Sequence, residues 1–195
     1  MEKKITGLSG LPVNVWIVTA TSFLTDISSE MIVYLIPLFL ANVIRAGTAV
    51  IGLIEGLAET SASLMKIYSG ALSDKLGKRK WITVVGYALS TIAKPFMYFA
   101  QTWHWVLGVR VADRLGKGIR TAPRDALVAD SADDHWRGRA FGLHRALDSC
   151  GAVIGVTIGY LLFTRYTGDY ARIFLWSLVP AVVAVALLFF VRQPK

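Results

Sequence analysis

Long apolar segments separated by short loops are the feature that most constrains the fold of this chain. Residues 173–191 contain no charged side chain, and about 18 or more consecutive apolar residues are typical of a helix that crosses a membrane. The chain is 17% charged, whereas soluble domains contain about a quarter charged residues. We therefore predict a single all-α membrane bundle of six transmembrane helices. The six predicted spans are 13–40, 48–73, 81–100, 103–127, 141–164 and 173–191.

The distribution of basic residues predicts the orientation of the bundle. The net charge is +8, but the excess lies in alternate short loops, which argues against a nucleic-acid partner. Positively charged loops stay in the cytoplasm, so both termini are expected to face the cytoplasm from the inner membrane. The opposite loops contain only Arg45, Arg165 and Arg172. The basic residues on the predicted cytoplasmic side are Lys3, Lys4, Lys75, Lys78, Arg79, Lys80, Arg124, Arg137, Arg139, Arg192 and Lys195.

Three stretches of sequence resemble motifs of the major facilitator superfamily. Residues 70–80, GALSDKLGKRK, resemble its G-x-L-x-D-x-x-G-x-K/R-K/R signature between helices two and three. The stretch RVADRLGKGIRTAPRDA resembles an R-x-x-x-G-x-G-type motif of helix four through Arg114 and Gly118, and it departs from that motif at Arg120, where a small residue is usual. The stretch RGRAFGLHRALDSCGAVIG is similar to helix five of bacterial drug- and metabolite-type members, although the proline of their G-P-x-x-G-G motif is missing. The matching signature residues are Gly70, Leu72, Asp74, Gly77, Arg79 and Lys80.

This resemblance implies a transporter that works by alternating access. Members have twelve helices in two halves, and each half is built of two inverted three-helix repeats. The chain therefore resembles an N-terminal half, whose partner is either a second copy or a separate C-terminal half. The resemblance also implies that Asp74 meets a helix end of the other half and locks the outward-facing state. The alternative interpretation is a topological loop in which Asp74 only caps a helix.

Two acidic residues on the first span are our candidates for proton coupling. Asp26 and Glu30 are four residues apart, so they share one face of a helix. Asp26 lies about 20 Å along the span, near the middle of a bilayer. Buried carboxylates are expensive in lipid and often mark proton pathways, and the resemblance implies that this span lines the central cavity. The alternative is that a fixed arginine neutralises either carboxylate and that the pair only holds the bundle together.

Charged residues on the fourth and fifth spans are candidates for substrate binding or for charge pairs. Arg110, Arg114 and Lys117 recur at helical spacing and form a basic stripe. Arginine suits both roles because its planar guanidinium binds carboxylates through two hydrogen bonds. The alternative for Arg114 is a structural ion pair with Asp113 or Asp148, and Asp148 is itself spaced to pair locally with Arg145 or His144. The candidate residues of this set are Arg110, Asp113, Arg114, Lys117, Arg145 and Asp148.

Three further features of the spans lead to expectations. Lys94 precedes Pro95, which predicts a kink with the amine directed outward. Glu55 and Glu59 lie nearer the predicted outer end of their span, where water makes a charge less informative. Gly151, Gly155 and Gly159 are spaced by four, a pattern that lets helices approach closely.

The function predicted from these observations is half of a proton-coupled secondary transporter that moves a small solute across the lipid bilayer. We weigh two alternatives: a non-transporting scaffold or receptor that keeps the fold, and a metal-ion transporter based on carboxylates. Enzyme motifs such as metal-ligand spacings, a nucleophile elbow or a phosphate loop are not found. We therefore expect no catalytic residue, no cofactor and no resident metal.

Overall fold

The computed structural model describes residues 10–193, and the chain is helical throughout this range apart from short connections. No β-strand occurs within it. The positively charged residues Lys3, Lys4 and Lys195 lie outside the described residues. The α-helices are α1 (Val13–Val33), α2 (Leu35–Asn42), α3 (Thr48–Leu76), α4 (Arg79–Ala93), α5 (Trp103–Ser131), α6 (Arg137–Arg165), α7 (Tyr170–Trp176) and α8 (Leu178–Leu188), and two 3₁₀ helices span Lys94–Phe99 and Asp134–Trp136.

Four helical segments of residues 10–193 are long and apolar enough to cross a membrane. The most apolar is Tyr170–Leu188, with a mean hydropathy of 2.2. The long helices α3 and α5 carry more charge and fall outside this set. The fold is therefore an all-helical membrane fold, as the sequence predicts. The four segments are Val13–Asn42, Arg79–Phe99, Asp134–Arg165 and Tyr170–Leu188.

Short breaks interrupt three of the helical segments. The first lies at Tyr34, between α1 and α2, and the last lies at Ser177, between α7 and α8. Between them, α4 gives way to the 3₁₀ helix at Lys94. Pro95 explains that change, because proline has no N–H for an α-helical hydrogen bond. The irregularity at Pro95 is therefore a change from α-helix to 3₁₀ helix.

The loop predicted between the fourth and fifth spans is shorter in the structure, because the fourth helix extends beyond the predicted span 103–127. Helix α5 continues through Pro123 to Ser131. Leu127 and Val128 extend its buried apolar face, and this periodic burial favours the helix over a loop. Arg124, expected in that loop, is instead buried on α5, where other side chains satisfy its guanidinium. The prediction mistook a basic residue for a loop residue because a single sequence does not show its partners.

The helices pack in two layers. Helices α3, α5, α1 and α6 form a row in that order, since α5 contacts α3 and α1, and α1 contacts α6. Helices α4 and α8 contact each other and lie behind the row, α4 against α5 and α8 against α1. The front of the row is covered by no other part of residues 10–193, and it is the face on which most of the candidate site residues meet.

Glycines allow the closest of these approaches. A Cβ on Gly151, Gly155 or Gly159 of α6 would lie 2.7, 2.6 or 2.5 Å from a backbone carbonyl oxygen of α1. The contacted carbonyls advance along α1 in the same order as the glycines advance along α6, so the two helices are parallel. The expectation of close packing at this stripe is confirmed. The three carbonyls belong to Phe23, Ile27 and Met31.

The two ends of the described chain lie at the same end of the bundle. The Asn14 side chain at the start of α1 donates a hydrogen bond of 2.7 Å to the carbonyl oxygen of Arg192. The turn between α3 and α4 lies there too, since Lys80 Nζ donates to the carbonyl oxygen of Phe189 at 3.0 Å. Gly77 ends α3 with φ of 63°, a left-handed conformation that glycine adopts without strain. Gly77 of the signature motif thus allows the tight turn between α3 and α4.

Candidate functional site

Two ion pairs join α3 to α5 along the front of the row. The Arg110 guanidinium donates to both carboxylate oxygens of Glu55, with Nε 3.0 Å from Oε1. One helical turn further on, Arg114 Nε lies 3.9 Å from Glu59 Oε2. The first pair includes an arginine that is 3% exposed, whereas Glu59 is 67% exposed. Glu55 therefore holds a buried arginine, whereas the sequence had suggested that its charge says little about the structure. Arg114 pairs with neither Asp113 nor Asp148 within 4.0 Å.

Lys94 lies inside the bundle, and the predicted outward direction of its amine is wrong. The residue is 2% exposed, and its ammonium group donates to Ser28 Oγ and, at 3.3 Å, to Ser29 Oγ of α1. Ser28 Oγ in turn donates to the carbonyl oxygen of Ser177 at 2.5 Å. The helix break before Pro95 turns the amine toward α1, where hydroxyl groups compensate for lost water.

Asp113 is the carboxylate that balances Lys94. Ser90 Oγ donates to Asp113 Oδ1, and Arg110 Nη1 lies 3.9 Å from Asp113 Oδ2. Among the surrounding charged residues, Lys94 acts most strongly on Asp113, and Asp113 acts most strongly on Lys94. Asp113 is thus held in a fixed network and is poorly placed to bind a mobile ligand.

A second cluster joins α5, α6 and α1 nearer the end with the termini. Arg124 donates to Asp125 Oδ1 at 2.9 Å and to Ser22 Oγ at 3.2 Å, and it lies 3.9 Å from Asp148. His144 Nε2 is 3.5 Å from Asp148 Oδ2. Ion pairs of this cluster therefore join α6 to α5.

Arg145 does not form the local pair with Asp148 that its spacing on the helix suggested. Its Nη2 lies 3.7 Å from Asp125 Oδ2 of α5, and not beside Asp148 of its own helix. Asp148 contacts His144 instead, the other local pair considered. The guanidinium of Arg145 is 63% exposed, so water screens the pair and the residue remains accessible from the front of the row.

The carboxylates of Asp26 and Glu30 have no hydrogen bond or ion pair with any of residues 10–193. Both are half-buried on α1 and directed toward the row's front, where Asp26 Cβ borders Gly151. No arginine of the described part of the chain therefore forms the ion pair that the alternative interpretation requires. The cations that act electrostatically on Asp26 are Arg120, Arg124, Lys117 and Lys94.

Two cations of α5 also lack a fixed acidic partner among residues 10–193. Lys117 is exposed on the front of the row. Arg120 is 4% exposed, and its Nη1 is buried without a hydrogen-bond partner. The Arg120 guanidinium lies 4.5 Å from the centre of the Tyr87 ring. Sequence reasoning did not select Arg120, although the departure from the family's small residue at this position was a usable signal.

The turn motif forms a separate polar cluster at the end with the termini. Arg79 binds Asp130 and donates to the carbonyl oxygen of Ala126 at 3.2 Å, which ties the turn to α5. Asp74 is 72% exposed and lies 3.6 Å from Arg79. The carboxylate is therefore placed at the surface beside a cation. Gly70 contacts α5, with 3.3 Å between its ideal Cβ position and Ala122 Cβ.

Comparison with known proteins identifies the family. The fold and the charged front define a multi-pass helical membrane protein, and the Major Facilitator Superfamily matches residues 18–195. An uncharacterized MFS-type transporter of Methanocaldococcus jannaschii is 36% identical over 92% of this chain and 45% of its own length. The chain thus belongs to the major facilitator superfamily, whose members are membrane transporters, and the resemblance seen in the sequence is confirmed.

Two further relatives show how far the similarity extends. An uncharacterized protein of Mycobacterium tuberculosis is 33% identical over 74% of this chain and 35% of its own length. The multidrug resistance protein MdtH of Photorhabdus laumondii is 36% identical over 56% of this chain and 27% of its own length. The chain spans less than half the length of each relative named here.

Proposed function

We propose that this chain is half of a secondary active transporter that moves a small solute by alternating access, coupled to protons. In this proposal all six helical segments cross the inner membrane, with both termini in the cytoplasm. Helices α3 and α5 cross it despite their charge, because Glu55 and Glu59 neutralise Arg110 and Arg114 between the two helices. Charges inside a membrane are tolerated when they pair or face a cavity.

The packing of the helices supports two inverted three-helix repeats. In the first three segments α1 leads, and in the last three α5 leads. Helix α1 packs in parallel with α6 and against α8, while α5 packs in parallel with α3 and against α4. Exchanging the first three segments for the last three therefore reproduces the pattern of contacts. Such repeats place the substrate near the middle of the membrane.

A second six-helix half completes the pore over the front of the row. That front exposes charged groups, and the outer helices α3 and α6 of the row expose large apolar side chains, including Leu64, Ile67, Tyr160 and Leu161. Lipid suits the apolar residues and opposes the charged ones, so a protein partner enclosing a water-filled cavity satisfies both. The partner is a second copy or a separate C-terminal half, and the native mass in mild detergent distinguishes them.

The proton-coupling role rests on one observation, the absence of a fixed partner for Asp26 and Glu30 among residues 10–193. A carboxylate held by a permanent ion pair has little reason to exchange a proton. A half-buried carboxylate that faces a cavity and is near cationic side chains without fixed partners can take up and release a proton during the transport cycle. No observation favours a scaffold or a metal-ion transporter over this function.

Asp26→Asn is the experiment that tests the coupling. In proteoliposomes that contain both halves, we expect the variant to lose solute uptake driven by a pH gradient, because asparagine does not exchange a proton. Uptake would be measured over a panel of radiolabelled anions, cations and zwitterions. Asp134→Asn is the matched control, since Asp134 is 88% exposed at the surface. Uptake that responds to the pH gradient equally in wild type and Asp26→Asn would contradict the coupling role.

Asp74 is the proposed latch between the two halves. We expect Asp74→Asn to shift the balance between inward- and outward-facing states, because the exposed carboxylate is available to a helix end of the other half. The single cysteine of the chain, Cys150, is exposed on α6 and reports on the state through its rate of maleimide labelling. An unchanged labelling rate in the assembled transporter would show that Asp74 acts only as a turn residue and not as a latch.

A further inference from the structure

Ion pairing along α1 and α5 leaves two cations and two carboxylates of these helices unmatched within residues 10–193. Arg110 is paired with Glu55 and Arg114 with Glu59. Lys94 and Asp113 attract each other through space without a salt bridge. The unmatched groups are Lys117 and Arg120 on α5 and Asp26 and Glu30 on α1, and all of them interact through space without a hydrogen bond or ion pair within residues 10–193. The four charges cancel only while both carboxylates are ionised.

Arg120 is the least compensated of these groups. Its guanidinium is almost fully buried, and its Nη1 has no hydrogen-bond acceptor among residues 10–193. The Tyr87 ring offers an attractive face for the cation, but such a contact is weaker than a hydrogen-bonded ion pair. A buried cation without an ion pair is strongly unfavourable, so an anion bound beside Arg120 would be stabilised.

Close packing holds Arg120 at this place. A Cβ on Gly86 of α4 would lie 2.6 Å from the backbone nitrogen of Arg120. The ring below the guanidinium is fixed as well, because the Tyr87 hydroxyl and Ser22 Oγ are 2.7 Å apart. Ser22 lies one helical turn before Asp26 on α1. The fold thus presents the guanidinium at the interface of α1, α4 and α5, next to the carboxylate proposed to carry the proton.

We infer that the substrate is an anion, and that its negative group binds to Arg120 and Lys117 when Asp26 or Glu30 is protonated. This inference rests on the proposed transport function. Proton binding removes one negative charge and leaves one cation uncompensated, and the substrate anion supplies the missing charge. Loss of the proton restores the carboxylate, which competes for the cation and expels the anion. One proton and one negative charge therefore move together.

Charged and titratable groups of several helices surround Asp26, where the proton and the anion are proposed to bind in turn. Glu30 shares its helix, and the Tyr87 hydroxyl is the nearby titratable group of α4. Helix α8, which also packs on α1, has no charged residue. The charged groups that act on Asp26 from other elements are Lys94 of the 3₁₀ helix, Lys117, Arg120 and Arg124 of α5, and Asp148 of α6.

The test measures equilibrium binding of benzoate to the chain in phosphatidylcholine nanodiscs, whose lipid has no net charge. Benzoate is ionised at both about pH 6 and about pH 8, and benzamide is its uncharged counterpart. We expect benzoate, but not benzamide, to raise the Tm of the wild type, and to do so more strongly at the lower pH. Asp26→Asn, which imitates the protonated carboxyl, should tighten benzoate binding by about tenfold, the effect of about 1.4 kcal/mol.

Arg120→Gln should lose the benzoate effect at both pH values. The matched control is Arg165→Gln, since Arg165 is exposed at the end of α6 and should keep the effect. A wild type that responds equally to benzoate and benzamide, or an Arg120→Gln variant that still binds benzoate, would overturn the inference. If tetraphenylphosphonium raised the Tm instead, a cationic substrate would replace the anion.

A second measurement guards against a purely structural role for Arg120. In the Asp26→Asn background without benzoate, the Tm of Arg120→Gln should equal or exceed that of Asp26→Asn alone, because one cation then has no carboxylate to balance it. A lowered Tm would show that Arg120 stabilises the fold through a partner, and would overturn the inference. Because binding is measured without transport, loss of benzoate binding in Arg120→Gln can be established even if Asp26→Asn retains pH-driven uptake. That result would contradict proton coupling and leave the anion site standing.

Discussion

Replacing Gly155 with leucine is expected to separate α1 from α6 and to lower the free energy of unfolding by about 3 kcal/mol. The first atom of the new side chain would lie 2.6 Å from the Ile27 carbonyl oxygen and 3.0 Å from Glu30 Cβ. Both obstacles belong to α1 at its backbone or close to it, so rotation of a side chain does not relieve the overlap. The helices must move apart, which loses van der Waals contact along their whole interface.

Gly142→Leu is the matched control for this experiment. Gly142 lies on the same helix, and no atom lies within 4 Å of its ideal Cβ position. The same substitution there removes a glycine from a helix, a change that favours the helix by a few tenths to about 1 kcal/mol. Thermal unfolding of the purified chain in mild detergent compares the two variants. A Tm for Gly155→Leu as high as that of Gly142→Leu would show that α1 and α6 do not depend on close approach.

Glu55→Gln is expected to destabilise the chain by roughly 2–3 kcal/mol, somewhat below the range for breaking a fully buried ion pair because Glu55 is partly exposed. The variant leaves the Arg110 guanidinium buried with a neutral acceptor in place of a carboxylate. Asp113, 3.9 Å away, compensates only in part because Ser90 and Lys94 already engage it. Unfolding in detergent would be followed by tryptophan fluorescence.

The neighbouring ion pair supplies the comparison for Glu55→Gln. Glu59→Gln makes the same chemical change one turn away, on the same helix and toward the same partner helix. Because Glu59 is 67% exposed and 3.9 Å from Arg114, we expect a loss of about 1 kcal/mol or less. The double replacement of Glu55 and Arg110 by leucine should recover much of the stability lost in Glu55→Gln. Equal losses in Glu55→Gln and Glu59→Gln would mean that burial of Arg110 has no influence on the pair.

The parts of the fold that depend on local pattern were predictable from the sequence. Apolar length located the helical segments, Pro95 located the break in the third segment, and the four-residue spacing of glycines located the interface of α6. Each of these signals acts within a few residues, through backbone geometry or through one helical face. The same reasoning placed Arg124 in a loop, because whether a charge is buried depends on a partner about a hundred residues away.

The candidate site was less accessible for the same reason. Spacing placed Asp26 and Glu30 on one face of α1, but it did not show that residues 10–193 offer them no hydrogen bond or ion pair. The pairing of Arg110 with Glu55 depends on the register between α3 and α5, and that register is set where Gly118 meets Ala62. Lys94 turns inward because of the hydroxyl groups of α1. These contacts form between two helices, so the sequence of one helix alone does not reveal them.

The pairing of α3 with α5 has a consequence for the synthesis of the chain. A charged residue at the centre of a helix disfavours its insertion by the translocon by about 2.5–3.5 kcal/mol. Helix α3 presents Glu55 and Glu59 before α5, which holds their partners, has been translated. In the membrane topology proposed above, these two carboxylates therefore have no partner on α5 until the ribosome has added the residues up to Arg114. In that topology, the order of the helices along the chain leaves Glu55 and Glu59 without their ion-pair partners while α4 and the first part of α5 are translated.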